Sequence, residues 1–261
     1  MNIRKFLFGT LFSAGLALYA GLCQAIALSD DEVAFSKPDR LTLLVGTDPT
    51  YPPYEFKDEN DHLVGFDIDL INAMAEAGGF SVEFHLYNYR DLIDAIKSFK
   101  IDAAISGLAI TKERLAEVDF SDAYYDDGIC IMVHYLQEGK IHSSADLVDR
   151  TVCVHDGSFS QELAQGMLRV TVKSYPSLRD VFKAFDHNEC VAVIEDKSVV
   201  LYAVKTGWSP DGVILDDMLT RSQNGIMVAK NNQQITKLLQ ESFETIKKNG
   251  TYQTIIERWF R

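Results

Sequence analysis

Residues 106–125 read SGLAITKERLAEVDFSDAYY, and three of them suit one chemical task. Arg114 carries a planar guanidinium, the side chain best shaped to take a carboxylate through two parallel hydrogen bonds. Gly107 lets a ligand approach bare backbone N–H groups, and Ser106 adds a hydroxyl. Together they make a receptor for a small carboxylate. A second turn, Gly157-Ser158-Phe159-Ser160, precedes a helix expected from Gln161, and the free N–H groups of such a turn favour an anion. Asp196 follows the apolar run 190–194, where an acid is costly unless paired.

These groups need elements to hold them. The run 101–105 is short, apolar and β-compatible, which predicts a buried strand, and Thr111 can cap a helix beginning near Lys112. In an open α/β sheet, ligands bind at the carboxyl ends of strands, where Ser106, Gly107 and Arg114 fall. Residues 41–46 form a first strand, followed by a loop whose Pro49, Pro52 and Pro53 fix the backbone around Asp48, Tyr51 and Glu55. A helix runs from about Phe66 through Ala77 and stops at Gly78-Gly79. Residues 82–86 give a second strand, and Tyr89 and Asp91 lead into a helix through Lys100. Residues 128–135 look like a crossing strand and 222–228 like its return. Between them come a strand over 151–154, a helix over 177–185 and a strand over 190–194. Glu195 is either a second acid facing the cleft or a lobe-surface charge, and period-two alternation along that last strand favours the surface. A helix over 235–249 with Gly250 as C-cap and a final helix from Thr251 complete the chain.

With 261 residues the chain is large for one core and comfortable for two lobes. Its 47% hydrophobic and 24% charged residues describe a globular protein. A formal charge of −13 argues against nucleic acid and against a polybasic membrane contact. Residues 1–25 read as a secretory signal: Arg4 and Lys5, an apolar stretch, then small residues at Ala25 and Ala27. Export to the periplasm with removal of the leader is favoured over a retained anchor, and over a lipoprotein centred on Cys23.

SGLAITKER followed by VDFSDAYY resembles the first-lobe binding motif of the polar amino-acid-binding proteins of ABC importers, solute-binding family 3. GTDPTYPPYEF with GFDIDL is similar to that family as well, as is the ending GTYQTIIERWF. The likeness covers nearly all of the chain after its leader and is closest to the lysine, arginine, ornithine and histidine binders. It implies an α/β, two-lobed, type II periplasmic-binding-protein fold with two crossover hinge strands. Lobe 1 would comprise 41–128 plus 225–261, and lobe 2 would comprise 129–224.

The resemblance also assigns roles. Tyr51 stacks on the ligand and Tyr89 forms a second aromatic wall. Asp48 reaches a cationic side chain; apart from the resemblance, Glu55 in the same loop and the acidic balance of the chain also suggest a cationic ligand. Asp196 pairs with the α-ammonium. The turn of Gly157, Phe159 and Ser160 supplies a second hold on the carboxylate, with Phe159 standing where the family often has threonine. Ala109 stands where binders of basic amino acids often carry a polar side chain.

Three cysteines follow the leader, so at least one is unpaired. Cys153 and Cys190 lie on strands expected to be neighbours; a disulfide is within reach, and burial as small hydrophobes is favoured. No metal-ligand spacing is present, and neither metal nor cofactor is expected.

The reading is an extracytoplasmic protein that captures an amino acid, cationic by preference, through cleft closure. It would act as a monomer, without catalysis, and hand its ligand to an ABC permease. The competing readings are a cyclohexadienyl-dehydratase-like enzyme, with Glu195 or Asp196 as a catalytic acid, and an amino-acid sensor.

Overall fold

The computed structural model describes residues 40–261; the leader assigned to residues 1–25 lies outside them. β1 (Thr42–Thr47) begins the described fold. Three short strands, β2 (Thr50–Tyr51), β3 (Glu55–Lys57) and β4 (Leu63–Val64), then form their own antiparallel sheet. That small sheet had no hydrophobic periodicity to announce it, because its strands are too short to show one. α1 (Phe66–Gly78) stops at Gly79, whose left-handed φ of 72° ends the helix as the paired glycines predict. The buried face of α1 carries Phe66, Leu70, Ile71 and Met74, each stabilising the fold by about 1.5–3 kcal/mol.

β5 (Ser81–Leu86) and a 3₁₀ turn at Tyr89–Asp91 lead into α2 (Leu92–Lys97). This helix stops short of the Lys100 expected, with Phe99 at φ 55°. The run 101–105 pairs only at β6 (Ala103–Ala104). In α3 (Lys112–Glu117) the Thr111 hydroxyl accepts the Arg114 N–H at 3.2 Å, the cap read from the sequence. β7 (Asp119–Phe120) precedes β8 (Tyr125–His134), where the chain leaves the first lobe.

The second lobe continues with β9 (Thr151–His155), α4 (Phe159–Gln165), β10 (Thr171–Tyr175), α5 (Leu178–Asp186) and β11 (Ala192–Asp196). α6 (Lys197–Thr206), β12 (Gly212–Ile214) and β13 (Thr220–Asn224) follow, and β14 (Met227–Val228) lies back in the first lobe. α7 (Gln233–Lys248) and α8 (Thr251–Phe260) close the chain. Asn249 caps α7, and Gly250, at φ 84°, begins α8 instead of ending α7. The return expected over 222–228 is two strands, β13 and β14. β10 and α6 lack a signal in the sequence: exposed residues leave β10 without a clear alternation, and α6 follows directly on the acidic pair Glu195-Asp196.

Two larger sheets define the lobes. One has the order β5-β1-β6-β14-β7, with β1 parallel to both neighbours and β14 antiparallel to β6 and β7. The other has the order β10-β9-β11-β8-β12, with β13 also on β8. The fold is the two-lobed α/β arrangement expected. The two crossings, β8 and β13, pair antiparallel with Thr220 opposite Ile129 and Asn224 opposite Tyr125, so the hinge is a hydrogen-bonded ribbon. We keep the cuts after Gly128 and Asn224 as the proposed bounds of the lobes. Phe260 of α8 stacks on Tyr125 of this ribbon at 4.4 Å, and Trp259 donates to Asp69 at 2.9 Å.

Cys153 and Cys190 are joined in a disulfide, which corrects the preference for separate burial as thiols. β9 and β11 pair in parallel beside it, Cys153 lying opposite Val193, and this brings the two sulfurs together. Cys130 is free and buried. Among the described residues no helix is long and apolar enough to cross a membrane.

Candidate functional site

Tyr51, at the end of β2, is where the lobes meet. Its hydroxyl lies 2.7 Å from Glu195 Oε1 and 2.6 Å from Asp196 Oδ2, both at the end of β11 in the other lobe. Its ring stacks on His155 at 5.4 Å and on Tyr54 at 5.7 Å, with Tyr89 at 6.1 Å. Gly107 makes this seat possible. A Cβ there would stand 2.8 Å from the Tyr51 ring, and its φ of +56° is one that side chains avoid.

Arg114 is 5% exposed and approaches the same cluster from α3. Its Nη1 donates to the Tyr89 hydroxyl at 3.2 Å and to the Ala109 carbonyl at 3.0 Å. Its guanidinium carbon is 5.5 Å from the centre of the Tyr89 ring, a cation–π distance. The nearest carboxylate, Glu162, is half-exposed and 4.0 Å from Nη2. Two lobes thus present a cation and two acids around stacked aromatic rings.

Burial dominates the electrostatics. It raises the Glu195 carboxyl, and it pushes Asp196 well above the usual carboxylate range, helped by the negative charges of Asp127 and Glu195. Burial, then the same acids, lifts the Tyr51 phenol as well, so that hydroxyl is a donor. Glu195 Oε2 and Asp196 Oδ1 have no protein partner.

Several residues assigned from the sequence have other duties. Asp48 takes the Thr50 N–H at 3.1 Å and the Thr50 hydroxyl at 2.7 Å on Oδ1, and the Tyr89 N–H at 2.8 Å on Oδ2. Both oxygens hold the loop together, which corrects the role of reaching for a cation: a carboxylate in a turn satisfies nearby backbone donors first. Glu55 lies under the cleft, accepting the Ser106 hydroxyl at 2.6 Å. Burial and then Asp67 raise its carboxyl well above the ordinary range, so it too is corrected from a cleft acid to a buried structural one. Ser106 also accepts the Asp48 N–H, and the Gly107 N–H goes to Asp67 Oδ2 at 2.7 Å. In the second lobe the Gly157 N–H is held by Gln161 at 2.6 Å, and the Ser160 hydroxyl meets Glu195 Oε1 at 3.2 Å. Phe159, half-buried, packs against the core of the second lobe.

Glu195 has no exposed surface, which overturns its assignment to the lobe surface. Alternation picks a face of a strand, and both faces of β11 are covered, so neither is solvent. His155, Tyr54, Asp127 and Asn224 were not singled out. Tyr54 donates to Asp127 at 2.8 Å, meets Ser198 of α6 at 3.0 Å and accepts from Asn224 at 3.1 Å, a second hydrogen-bonded bridge between the lobes. Only His155 had a legible signal: it ends a strand just before the Gly157 turn. At the rim, Arg90 pairs with Asp156 at 2.8 Å. Gly157 admits this approach, since a Cβ would stand 3.0 Å from the Arg90 side chain and its φ is +75°.

A cavity of about 130 Å³ lies at this rim, lined by Tyr89, Arg90, Arg114, Gly157 and Glu162 among others. A larger one of about 650 Å³ lies between α6, α8 and the start of β8, lined by Asp127, Lys197 and Ser198 but by neither Arg114 nor Asp196. Residues 43–261 match the bacterial extracellular solute-binding proteins, family 3. The chain belongs to that family. A probable histidine-binding protein of Neisseria gonorrhoeae is 28% identical, the match covering 100% of this chain and 97% of that one. A solved structure of an ancestral arginine-binding protein bound to arginine is 38% identical with a TM-score of 0.80, covering 85% of this chain and 99% of that one. An ancestral amino acid-binding protein described as a precursor of cyclohexadienyl dehydratase is 33% identical with a TM-score of 0.79, covering 84% and 96%. In this family 3 member the lobes touch at Tyr51, at Tyr54 and, at the rim, through Arg90 and Asp156.

Proposed function

We propose that this protein captures a free amino acid between its lobes, outside the cytoplasm, and delivers it to an ABC permease. The observation that carries the reading is the convergence of Arg114, Tyr89, Tyr51 and Asp196 through one chain of contacts. Arg114, steadied by the Ala109 carbonyl, takes the ligand carboxylate, and the turns at Ser106–Gly107 and Gly157–Ser160, held in shape by Glu55, Asp67 and Gln161, frame it. Asp196 takes the α-ammonium through Oδ1, and Tyr51 and Tyr89 are the aromatic walls. A cationic side chain is favoured, since relatives are described as arginine- or histidine-binding and the cleft holds more buried acid than one ammonium needs. The leader directs the chain to the periplasm, where it acts as a monomer.

A thermal-shift screen of the mature protein against the twenty amino acids and ornithine tests this. A ligand at 100 times its Kd stabilises the fold by about 2.7 kcal/mol, and the expected shifts come with arginine, lysine, ornithine or histidine. A shift confined to neutral or acidic amino acids discards the cationic preference alone. No shift at all overturns the reading. A second reading, an enzyme on this scaffold, draws on Glu195, a buried acid with a raised pKa beside the Tyr51 hydroxyl. Turnover of prephenate or arogenate would replace binding by catalysis; none is expected.

A further inference from the structure

We propose that Glu195 reads a second positive charge on the ligand, so that the cleft selects an amino acid with a cationic side chain over its neutral isostere. The inference rests on the reading of this cleft as an amino-acid site and names the residue that sets its preference.

Elimination narrows the acids. Asp48 has both oxygens engaged by Thr50 and Tyr89, and Glu55 serves Ser106 from beneath the cleft. Asp127 is engaged by Tyr54, Ser198 and the Gly128 N–H. Glu162 is half-exposed at the rim beside Arg114. Glu55, Asp67, Glu195 and Asp196 are buried and each keeps one oxygen without a partner. Glu55 and Asp67 serve Ser106, Gly107 and Tyr124 of their own lobe beneath the cleft, whereas Glu195 and Asp196 meet Tyr51 across the lobes.

Hydrogen counting sharpens the point. The Tyr51 hydroxyl has one proton and stands within 2.7 Å of a carboxylate oxygen of each acid. It can donate to only one, so the other contact is a hydrogen bond only if that acid carries a proton. The other groups facing the pair do not replace that proton with a fixed charge. The Ser160 hydroxyl and the Asp196 N–H donate to Glu195 Oε1 and are neutral. The His155 ring has Nε2 3.3 Å from the Pro176 carbonyl and Nδ1 without a partner, and a charge on that ring lowers the Glu195 carboxyl. Arg114 is committed to Tyr89, Ala109 and the ligand carboxylate. A ligand with one ammonium satisfies Asp196 and leaves Glu195 holding its proton. A ligand with a second cation takes that proton's place, and every buried charge is then paired.

Titration calorimetry of the full mature protein at pH 7, in two buffers of different ionisation enthalpy, decides the matter. The probes are arginine with its neutral isostere citrulline, and lysine with norleucine. Each cationic member is expected to bind at least 10-fold more tightly than its isostere and to release more protons. Glu195→Gln is expected to shrink that ratio at least 10-fold and abolish the difference in proton release, while Glu195→Asp retains part of both and Asp48→Asn leaves the ratio unchanged. If Glu195→Gln does not fold, proton release by the wild type decides alone. Equal affinity and equal proton release within both pairs, or an unchanged ratio in Glu195→Gln, overturns the proposal and leaves the amino-acid site standing. Binding of neutral amino acids only does the same. If the thermal screen and these titrations detect no amino acid, the functional reading fails and this inference with it.

Discussion

The Asp67 carboxylate accepts the Gly107 N–H at 2.7 Å from forty positions earlier in the chain. It also accepts the Tyr124 hydroxyl at 2.9 Å. The turn below the cleft is therefore shaped by a buried acid that the sequence shows only as one charge at the start of α1.

Burial pushes the Asp67 pKa up to about 6. The folded state thus binds the proton more tightly than the unfolded chain, whose aspartate titrates near 4. Stability is full below about pH 4 and falls as pH rises to about 6, by on the order of 2–3 kcal/mol. Glu55, Glu195 and Asp196 shift in the same direction. Exposed acids such as Asp119, lowered by its bond to Lys230, act oppositely but are screened by solvent. The melting temperature of the ligand-free protein is expected to be higher at pH 5 than at pH 7.5, and Asp67→Asn to flatten the difference. A rise in melting temperature between those pH values would contradict the assignment.

Arg114→Ala is expected to weaken amino-acid binding at least 100-fold, as charge-assisted hydrogen bonds contribute about 1.5–3 kcal/mol each and two are lost. Because Arg114 also holds Tyr89 and Ala109, a modest drop in melting temperature accompanies the loss. Calorimetry beside a melting curve separates the two effects; unaltered affinity would remove Arg114 from the site.

Tyr51→Phe deletes the one hydroxyl that joins the lobes at Glu195 and Asp196 while keeping the aromatic wall. Asp196 Oδ2 then loses its donor from the first lobe, and Glu195 keeps only the Ser160 hydroxyl and the Asp196 N–H of its own lobe, which costs about 1–3 kcal/mol in the closed arrangement. Small-angle scattering is expected to give a larger radius of gyration for ligand-free Tyr51→Phe than for the wild type, with the two converging when ligand is saturating. Identical ligand-free profiles would count against Tyr51 as the latch.

The disulfide links Cys153 to Cys190 across 37 positions. A loop of that size constrains the unfolded chain by about 3–4 kcal/mol, so the double Cys→Ser variant should melt at a clearly lower temperature. Ligand affinity measured well below that temperature should persist, since the bridge lies outside the cleft contacts. A loss of binding by the folded variant would show that the bridge positions His155.

Local pattern determined a great deal in this protein. The apolar run of β11, the Thr111 cap of α3 and the glycine stop of α1 depend on neighbours within a few residues, and their chemistry is legible in order along the chain. The motif around Arg114 carried the family, and the positions of Tyr51, Tyr89 and Asp196 followed from it. What each acid does was decided only in three dimensions. Asp48, Glu55, Asp67 and Glu195 are all carboxylates beside apolar runs, and no local pattern ranks them. Their roles depend on which donors reach each oxygen, and those donors come from residues such as Tyr51 and Ser106, brought near by sheet order and by the meeting of the lobes. In a low-dielectric interior an acid's role is set by where its donors come from: Glu55 and Asp67 are held beneath the cleft by Ser106, Gly107 and Tyr124, while Glu195 and Asp196 stand where the lobes meet. That distinction belongs to the tertiary structure, because it is made by contacts such as Tyr51 to Glu195, 144 positions apart.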